Sequence, residues 1–309
     1  MSIEEHIGPY KIHLFKEQRE IDCSPNNTIL EANIEAQINH THVCGGKGNC
    51  STCRVSVMGG MENCYPRNDT EQKMANKLNF PDEIRLACQT KIHGNISIRR
   101  MVSDKLDMDL VFEQFSKNQE TVFGSQQKLT IVFTDIVNYT SFAERFPPYD
   151  VLHVLNRYYR IVNAIIRDHR GIISDVAGDG VLSIFGIDSE NENSVKNAVN
   201  AIKEINEKLK QFNEYLEENF NTQFEIRAGI HFGDVIVGPF DTGEMKKLAV
   251  IGDNVNYASR IETANKEFNT KLLLSEEAYL QINKEFPYYN EFETTLKGKT
   301  GCYKLYEII

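Results

Sequence analysis

Several features that mark other classes of protein are missing from this sequence. No apolar run in its 309 residues approaches the length of a membrane span. The N-terminal segment MSIEEHIGPYKIHLF has neither an apolar core nor a small-residue cleavage site, so it does not read as a secretory signal. We therefore expect a reducing cytoplasm, where the thiols of the seven cysteines bind metals more often than they form disulfides.

A basic stripe of the kind that binds nucleic acid is also missing. The net charge is −10, and residues 1–103 are balanced, with 12 basic and 12 acidic side chains. The other 22 basic and 32 acidic side chains lie in 104–309, which therefore carries the whole excess. An acidic domain binds a polyanion only where metal ions or a few placed cations attract it. The sequence therefore predicts no nucleic-acid partner.

The apolar pattern divides the chain into three parts. Residues 1–103 predict a small domain with paired strands over 9–22 and a short helix over 28–35. Residues 104–127 lack the Pro/Ser-rich composition of a flexible linker and predict a helical connector. From 128 to 309, strands and helices are mixed, so the expected fold class is α+β.

The third part has clear periodicity. KLTIVFTDIV predicts a strand that ends in an acid, and apolar residues at helical spacing predict helices over 150–169 and 194–217. Residues 171–186 predict two strands joined by a tight glycine turn, and FEIRAGIHFGDVIVG predicts another strand pair. VIGDNVNYASRIE predicts a glycine turn followed by a helix.

Three cysteines lie close together near the N-terminus, in the pattern Cys44-x5-Cys50-x2-Cys53, and Cys88 follows after 34 further residues. Three thiolates from one loop and a distant fourth match the plant-type [2Fe–2S] arrangement, with one extra residue in the first gap. Structural zinc sites usually take two closely spaced pairs of ligands. A [2Fe–2S] cluster is therefore favoured, with a zinc site and free buried thiols as alternatives.

The motif CGGKGNCSTCRV resembles the cluster loop of adrenodoxin-like ferredoxins. The resemblance covers about residues 8–100 and implies a β-grasp fold, a [2Fe–2S] cofactor on these four cysteines and a redox partner. Cys23, Cys64 and Cys302 fall outside the spacing, and we expect them to be small buried side chains.

Two acids stand out in the third part because each follows a strand. Asp135 ends the strand in VFTDIV, and Asp179 lies in the turn AGDGV. Carboxylates at the ends of neighbouring strands can bind Mg²⁺, which takes few protein ligands and completes its shell with water and phosphate oxygens. Each acid alone would more often be a turn or cap residue.

Asn256 and Arg260 lie four residues apart in NYASR and therefore on one helix face. An amide beside a guanidinium suits a sugar oxygen next to a phosphoryl group that gains charge. Without further motifs, an Asn/Arg pair at this spacing more often lies on a solvent-exposed helix face than in a binding site.

FTDIV, GDG and GDNVNYASR occur in this order, with LKGKTG near the end. Together they resemble the class III nucleotidyl cyclase catalytic domain over about 128–309. The resemblance implies a ferredoxin-like, palm-type βαββαβ fold. Diguanylate cyclases share that core, but their GGDEF-type hairpin is absent here and they have no counterpart of NYASR.

The resemblance implies a role for each matching position. Asp135, Asp179 and the backbone carbonyl of Ile136 would hold two Mg²⁺ or Mn²⁺ ions per site. The backbone of a segment two residues further on would cradle phosphates, and its first residue is asparagine where the family usually has glycine: Asn138, Tyr139 and Thr140.

Asn256 would orient the ribose, Arg260 would stabilise the transition state, and Lys297 would neutralise the β- and γ-phosphates. The alternative for Lys297 is a surface lysine in a turn. In this family the metal aspartates and the Asn/Arg pair come from different subunits, so the resemblance implies a head-to-tail homodimer. FDTGEMKKLAV, residues 240–250, resembles the arm that crosses that interface.

Base selection departs from the family pattern. Adenylyl cyclases of this class usually have a lysine where this chain has Asp175, and an Asp, Thr or Ser where it has Ala249. A carboxylate cannot donate to adenine N1, but it accepts from guanine N1–H and N2–H₂, adenine N6–H₂ or cytosine N4–H₂. We expect cyclic AMP formation from ATP, with cyclic GMP formation as the alternative and another or relaxed base choice as a third reading.

The cluster has no evident electron acceptor in this chain, so we expect it to act as a sensor through the 104–127 connector. Two rival interpretations stay open: a redox protein that uses an inactive cyclase domain as a scaffold, and a zinc-stapled cyclase without redox function.

Overall fold

The computed structural model of the chain describes residues 9–102, 125–187, 193–241 and 246–308, and describes side chains outside 239–246. The chain divides into two compact units, residues 1–124 and 125–309. Each unit has its own sheet and its own core. Within the described residues, no helix is long and apolar enough to cross a membrane.

The first unit is a five-stranded mixed sheet with helices packed on it. Its strands are β1 Tyr10–Leu14, β2 Arg19–Cys23, β3 Arg54–Gly59, β4 Ile84–Leu86 and β5 Ile96–Arg100. The spatial order is β2-β1-β5-β3-β4, and β1 runs parallel to β5 while the other pairs are antiparallel. The helices are α1 Ile29–Glu35 and α2 Asp69–Leu78, with a 3₁₀ turn at Met61–Asn63. The expected strand pair, short helix and β-grasp fold are confirmed.

Helix α1 starts where its sequence predicts. Thr28 Oγ1 accepts from the Glu31 backbone N–H at 3.2 Å, and the Glu31 carboxylate accepts from the Thr28 backbone N–H at 2.7 Å. This reciprocal capping box satisfies two N–H groups that a helix start leaves open. The helix then buries Ile29 and Leu30 against the sheet.

The second unit is an eight-stranded sheet. Its strands are β6 Ser125–Ile136, β7 Gly171–Ala177, β8 Gly180–Phe185, β9 Ile226–Asp241, β10 Lys246–Ile251, β11 Leu272–Ser275, β12 Asn290–Thr294 and β13 Tyr303–Glu307. The order is β12-β13-β11-β9-β6-β8-β7, and β10 pairs with β9. The helices are α3 Tyr139–Arg145, α4 Pro148–Asp168, α5 Ser194–Phe220, α6 Asp253–Phe268 and α7 Glu276–Tyr279.

Helices cover both faces of this sheet. Leu272 and Leu274 of β11 belong to the core that contains α4 and α5, whereas Leu273 belongs to the core that contains α6. Because successive side chains of a strand point to opposite faces, α6 lies on the face opposite α4 and α5. The predicted apolar stripes of α4 and α5 are buried.

Two predicted boundaries differ from the structure. Residues 125–127, assigned above to the connector, belong to β6, and 104–124 lie outside the described residues. FEIRAGIHFGDVIVG does not form a strand pair, because β9 runs through it as one strand. A Cβ on Gly229 would lie 2.2 Å from the Glu262 backbone nitrogen, and one on Gly233 would lie 2.6 Å from Asn254 Nδ2. These glycines therefore allow α6 to approach the sheet and do not mark a turn.

Strands β9 and β10 form an antiparallel hairpin that pairs from Asp241–Lys246 to Ile236–Ile251. This hairpin, called the arm below, contains the described part of the segment predicted to cross a subunit interface. Residues 242–245 lie outside the described residues.

Candidate functional site

The four predicted cluster cysteines come together as two pairs. The Sγ atoms of Cys53 and Cys88 lie 3.4 Å apart, and the side chains of Cys44 and Cys50 hydrogen-bond to each other. Among the described residues, no three His, Cys, Asp or Glu side chains converge closely enough to hold a single metal ion. A [2Fe–2S] cluster takes two thiolates at each of two irons, so two pairs fit this cluster better than one zinc ion.

The loop around these cysteines directs N–H groups at the sulfurs. The hydrogen bond from Cys50, followed by backbone N–H groups such as that of Asn49, lowers the pKa of the Cys44 thiol to about 5. The hydrogen bond from Cys53, helped by Gln89 and the Gly48 backbone N–H, lowers the pKa of Cys88 to about 7. Donors aimed at sulfur stabilise thiolates, which are the form that binds iron.

The three other cysteines do not all match the expectation. Cys23 and Cys64 are buried, and burial raises the pKa of the Cys23 thiol to about 11. Cys302 is exposed, so the prediction that all three are buried is wrong for it. Its position between a glycine turn and the start of β13 leaves its side chain in solvent.

In the second unit, Asp135 and Asp179 meet. Asp135 is the penultimate residue of β6, and Asp179 lies in the tight turn between β7 and β8. Burial and the hydrogen bond and charge of Asp179 raise the pKa of Asp135 to about 7. The backbone N–H of Ile136 donates to Asp179 Oδ2 at 3.2 Å. Two carboxylates this close repel each other when both are ionised. A bound divalent cation would remove that repulsion, so the pair suits a cation site.

Asn138 lies just after the end of β6 that carries Asp135, and it is the residue immediately before α3. Its φ of 61° and ψ of 23° are left-handed, which explains how asparagine stands where the family usually has glycine. The first N–H groups of a helix have no partner within it, and here they include those of Tyr139 and Thr140. Burial, and then the charge of Asp179, raise the pKa of Tyr139, which places its ring near the acid pair.

Asn256 and Arg260 both lie on α6, as predicted. Asn256 is exposed, and a Cβ on Gly298 would lie 3.4 Å from Arg260 Nη2, so the LKGK turn flanks the guanidinium. Within the described residues, no hydrogen bond or ion pair joins either side chain to Asp135 or Asp179. In one chain, Asn256 and Arg260 are therefore not bonded to the acid pair, although Glu262 of the same helix acts on the charge of both acids.

The two lysines of the LKGK turn differ. Lys299 Nζ lies 2.6 Å from Asp253 Oδ2 and 4.6 Å from the Tyr257 ring centroid, and only 12% of its side chain is exposed. Lys297 has no ion pair among the described residues, so it is the lysine left available for a ligand. This matches its predicted role, which stays a prediction.

Asp175, one of the two residues expected to contact the base, has an ion-pair partner that was not predicted from the sequence. Asp175 of β7 pairs with Lys247 of the arm, Oδ2 to Nζ, at 3.0 Å. Ala249 lies two residues further along β10 and therefore on the same strand face as Lys247. The two-residue spacing from Ala249 places Lys247 on that face, but nothing in the sequence links it to Asp175.

A buried network ties the start of α6 to the sheet. His231 Nε2 lies 3.0 Å from Asn254 Oδ1, and His231 Nδ1 lies 2.8 Å from Ser275 Oγ. Burial lowers the pKa of His231, so we assign a neutral ring that donates from Nε2 and accepts at Nδ1. Asn254 Nδ2 donates to the Asp234 carbonyl at 2.8 Å. The network fixes the helix turn that carries Asn256.

Comparison with known proteins identifies both units. Residues 122–308 match the family described as "Adenylate and Guanylate cyclase catalytic domain", and residues 12–93 match the "2Fe-2S iron-sulfur cluster binding domain". Adenylate cyclase 1 of Rhizobium meliloti (strain 1021) is 27% identical over 184 residues, which cover 60% of this chain and 28% of that protein. Receptor-type guanylate cyclase gcy-23 of Caenorhabditis elegans is 31% identical over 172 residues, which cover 55% of this chain and 15% of that protein.

A solved structure is similar over the same part of the chain. The crystal structure of the adenylyl cyclase CyaB from P. aeruginosa has 26% sequence identity and a TM-score of 0.55, and the match covers 60% of this chain and 95% of that one. The chain spans less than a third of the length of either curated relative named above.

Proposed function

Because the chain belongs to the family of adenylate and guanylate cyclase catalytic domains, we propose that its second unit converts a purine nucleoside triphosphate into the 3′,5′-cyclic monophosphate and pyrophosphate. The observation that carries this proposal is that Asp135 and Asp179 lie together at strand ends, where burial and then the hydrogen bond and charge of Asp179 raise the pKa of Asp135 to about 7. Two carboxylates that repel each other at short range favour binding of Mg²⁺ or Mn²⁺. We assign two ions to this pair, with the Ile136 carbonyl as a further ligand.

Divalent ions, when bound, polarise phosphate oxygens and acidify a hydroxyl group. Ring closure forms a bond from O3′ to the α-phosphorus and breaks the bond from that phosphorus to the bridging oxygen of pyrophosphate. Pyrophosphate leaves with the electron pair, and the hydroxyl proton passes to solvent. Asn256 orients the ribose, and Arg260 donates hydrogen bonds to the phosphoryl oxygens as negative charge develops.

We assign binding of the triphosphate to two groups of residues. The start of α3 offers backbone N–H groups close to the acid pair: Asn138, Tyr139 and Thr140. Lys297, in the turn that flanks Arg260, neutralises the β- and γ-phosphates.

The site is completed by a second copy of the chain, so that the carboxylates of one protomer face Asn256 and Arg260 of its partner. Two observations support this. Within the described residues, no hydrogen bond or ion pair joins Asn256 or Arg260 to Asp135 or Asp179 in one chain. The edge strand β7, together with the arm, also exposes large aliphatic side chains, which mark protein interfaces: Ile172, Val176, Ile236, Leu248 and Ile251.

We assign the reading of the base to the ion pair of Asp175 and Lys247. Lys247 donates to adenine N1 while Asp175 accepts from N6–H₂, so the pair together supplies what Asp175 alone lacks. ATP is our first candidate, and the adenylate cyclases among the relatives support it. GTP is the second candidate, because Asp175 also accepts from guanine N1–H and N2–H₂ while Lys247 donates to O6.

The first unit carries a [2Fe–2S] cluster that senses redox state. We place the signal in the connector, so that oxidation or loss of the cluster changes the dimer geometry and the turnover. Visible absorption that dithionite bleaches would distinguish iron–sulfur from zinc. Equal kcat for oxidised, reduced and cluster-free protein would contradict regulation by the cluster.

The activity itself is tested with Mn²⁺ and each of ATP, GTP, CTP and UTP, with identification of the cyclic product. We expect a purine cyclic nucleotide from the wild type and nearly none from Asp135→Asn or Asp179→Asn, with unchanged visible absorption. Full activity in both variants would contradict the metal site. No cyclic product from any nucleotide would favour the scaffold interpretation.

A further inference from the structure

Gln89 directly follows the fourth cluster cysteine, and its side-chain amide bridges the two cysteine-bearing segments. Gln89 Nε2 lies 3.4 Å from Cys88 Sγ and 3.0 Å from the Gly46 carbonyl oxygen. The two N–H bonds of this amide thus reach a ligand sulfur and the loop that carries the other three ligands.

The amide is held from its other side. Gln89 Oε1 accepts from Asn68 Nδ2 at 3.1 Å, while Asn68 Oδ1 accepts from the Glu71 backbone N–H at 2.9 Å and caps α2. A Cβ on Gly48 would lie 3.3 Å from Gln89 Cδ and Nε2, so the loop packs against the amide. All hydrogen-bonding groups of the Gln89 amide therefore have partners, and its orientation is fixed.

A donor fixed at a ligand sulfur has a definite effect on an iron–sulfur cluster. Reduction adds negative charge, and a hydrogen bond to sulfur stabilises the more negative state, which raises the reduction potential. The second N–H bond, to Gly46, joins the loop to the segment of Cys88, which opposes opening of the site and loss of iron.

We propose that Gln89 is a positioning residue that raises the reduction potential of the cluster and slows its loss. Among the described residues, no other side chain makes all three of these hydrogen bonds: one to a ligand sulfur, one to the backbone of the cysteine loop and one with the residue that caps α2.

The test compares three variants in the full chain loaded with its cluster. Gln89→Leu removes the amide, and Asn68→Ser removes only its anchor while keeping a hydroxyl that caps α2. Gln72→Leu changes a glutamine whose Nε2 bonds only to Asn76 on the surface of α2, and it is the control. Redox titration followed by visible absorption gives the potential, and absorption decay in excess chelator gives the rate of cluster loss.

We expect a more negative potential and faster loss for Gln89→Leu, a smaller change of the same sign for Asn68→Ser and none for Gln72→Leu. A Gln89→Leu protein with wild-type potential and decay would overturn the proposal. If Gln89→Leu does not hold a cluster, Asn68→Ser decides, and wild-type values for it would then overturn the proposal. Neither readout depends on cyclase activity.

Discussion

The two units build their sites in different ways. In the first unit one chain supplies all four thiols, the backbone donors aimed at them and the Gln89 amide. In the second unit Asp135 lies at the end of β6 and Asp179 in the turn between β7 and β8, whereas Asn256 and Arg260 lie on α6, with no hydrogen bond or ion pair to the acids among the described residues. A cluster is held by a single enclosed set of ligands, but a site that acts on a substrate can be divided between protomers. Division makes its activity depend on how two copies meet.

The largest expected effect is a loss of unfolding free energy when a buried ion pair of the first unit is broken. Glu71 and Arg85 form a buried bidentate pair at 2.9 Å, and Glu71 also accepts from the Leu86 backbone N–H, next to the segment of Cys88. Glu71→Gln leaves the guanidinium buried without its counter-charge, which costs about 3–5 kcal/mol of unfolding free energy. Hydrogen exchange of first-unit peptides in the full chain measures the loss. Exposed Glu62, changed to Gln, is the control, and equal exchange in both variants would refute this expectation.

The next effect concerns catalysis alone. Arg260→Ala removes the side chain to which we assign stabilisation of the transition-state charge, so we expect kcat to fall about 100- to 1,000-fold. Lys266→Ala, at an exposed position in the last turn of the same helix, should keep wild-type kcat. Visible absorption should be the same in both variants, because all four predicted cluster cysteines belong to the first unit. A comparable loss of kcat in Lys266→Ala would point to helix disruption instead.

A smaller effect is expected on substrate choice. Lys247→Ala removes a charged donor to the base and the partner of Asp175, so kcat/KM for the preferred purine falls about tenfold or more. The ratio of ATP to GTP turnover also changes. Lys271→Ala breaks an exposed ion pair with Glu225 elsewhere in this unit and should change neither quantity. An unchanged ratio in Lys247→Ala would exclude this lysine from base selection.

The smallest effect is a dependence of stability on pH. Burial lowers the pKa of His231 and outweighs the Glu277 carboxylate 3.8 Å away. Because the unfolded histidine, with a pKa near 6.5, takes up its proton first, the stabilising contribution is complete above that pH and declines below it. The slope is at most about 1.4 kcal/mol per pH unit.

His231→Gln should flatten this slope in urea unfolding of the second unit between pH 7 and pH 5. The exposed His153, changed to Gln, should keep it. Parallel slopes for wild type and His231→Gln would show that the buried ring is not the titrating group.

Local patterns predicted much of the fold. The apolar stripe of α4 and the glycine turn between β7 and β8 depend on neighbours in sequence, and both are confirmed. The left-handed conformation of Asn138 agrees with its residue type, because asparagine adopts it more readily than most residues. The meeting of Asp135 with Asp179 needed only the rule that neighbouring strand ends lie side by side.

Features set by distant contacts could not be predicted in this way. FEIRAGIHFGDVIVG was predicted to form a strand pair, because the close approach of α6 to Gly229 and Gly233 is invisible in the sequence. Lys247 lies 72 residues from Asp175, and Gln89 lies 43 residues from Gly46, so neither pair has a local signal. These long-range contacts are also the ones that give the two sites their individual chemistry.

The most direct test of the divided site mixes two inactive proteins. Asp135→Asn and Arg260→Ala chains, carrying different tags and produced together, form mixed dimers in which one of the two sites has both residues intact. With random pairing, the account predicts about a quarter of the wild-type specific activity, and purified mixed dimers should have about half. Activity no greater than the sum of the two separate variants would contradict it.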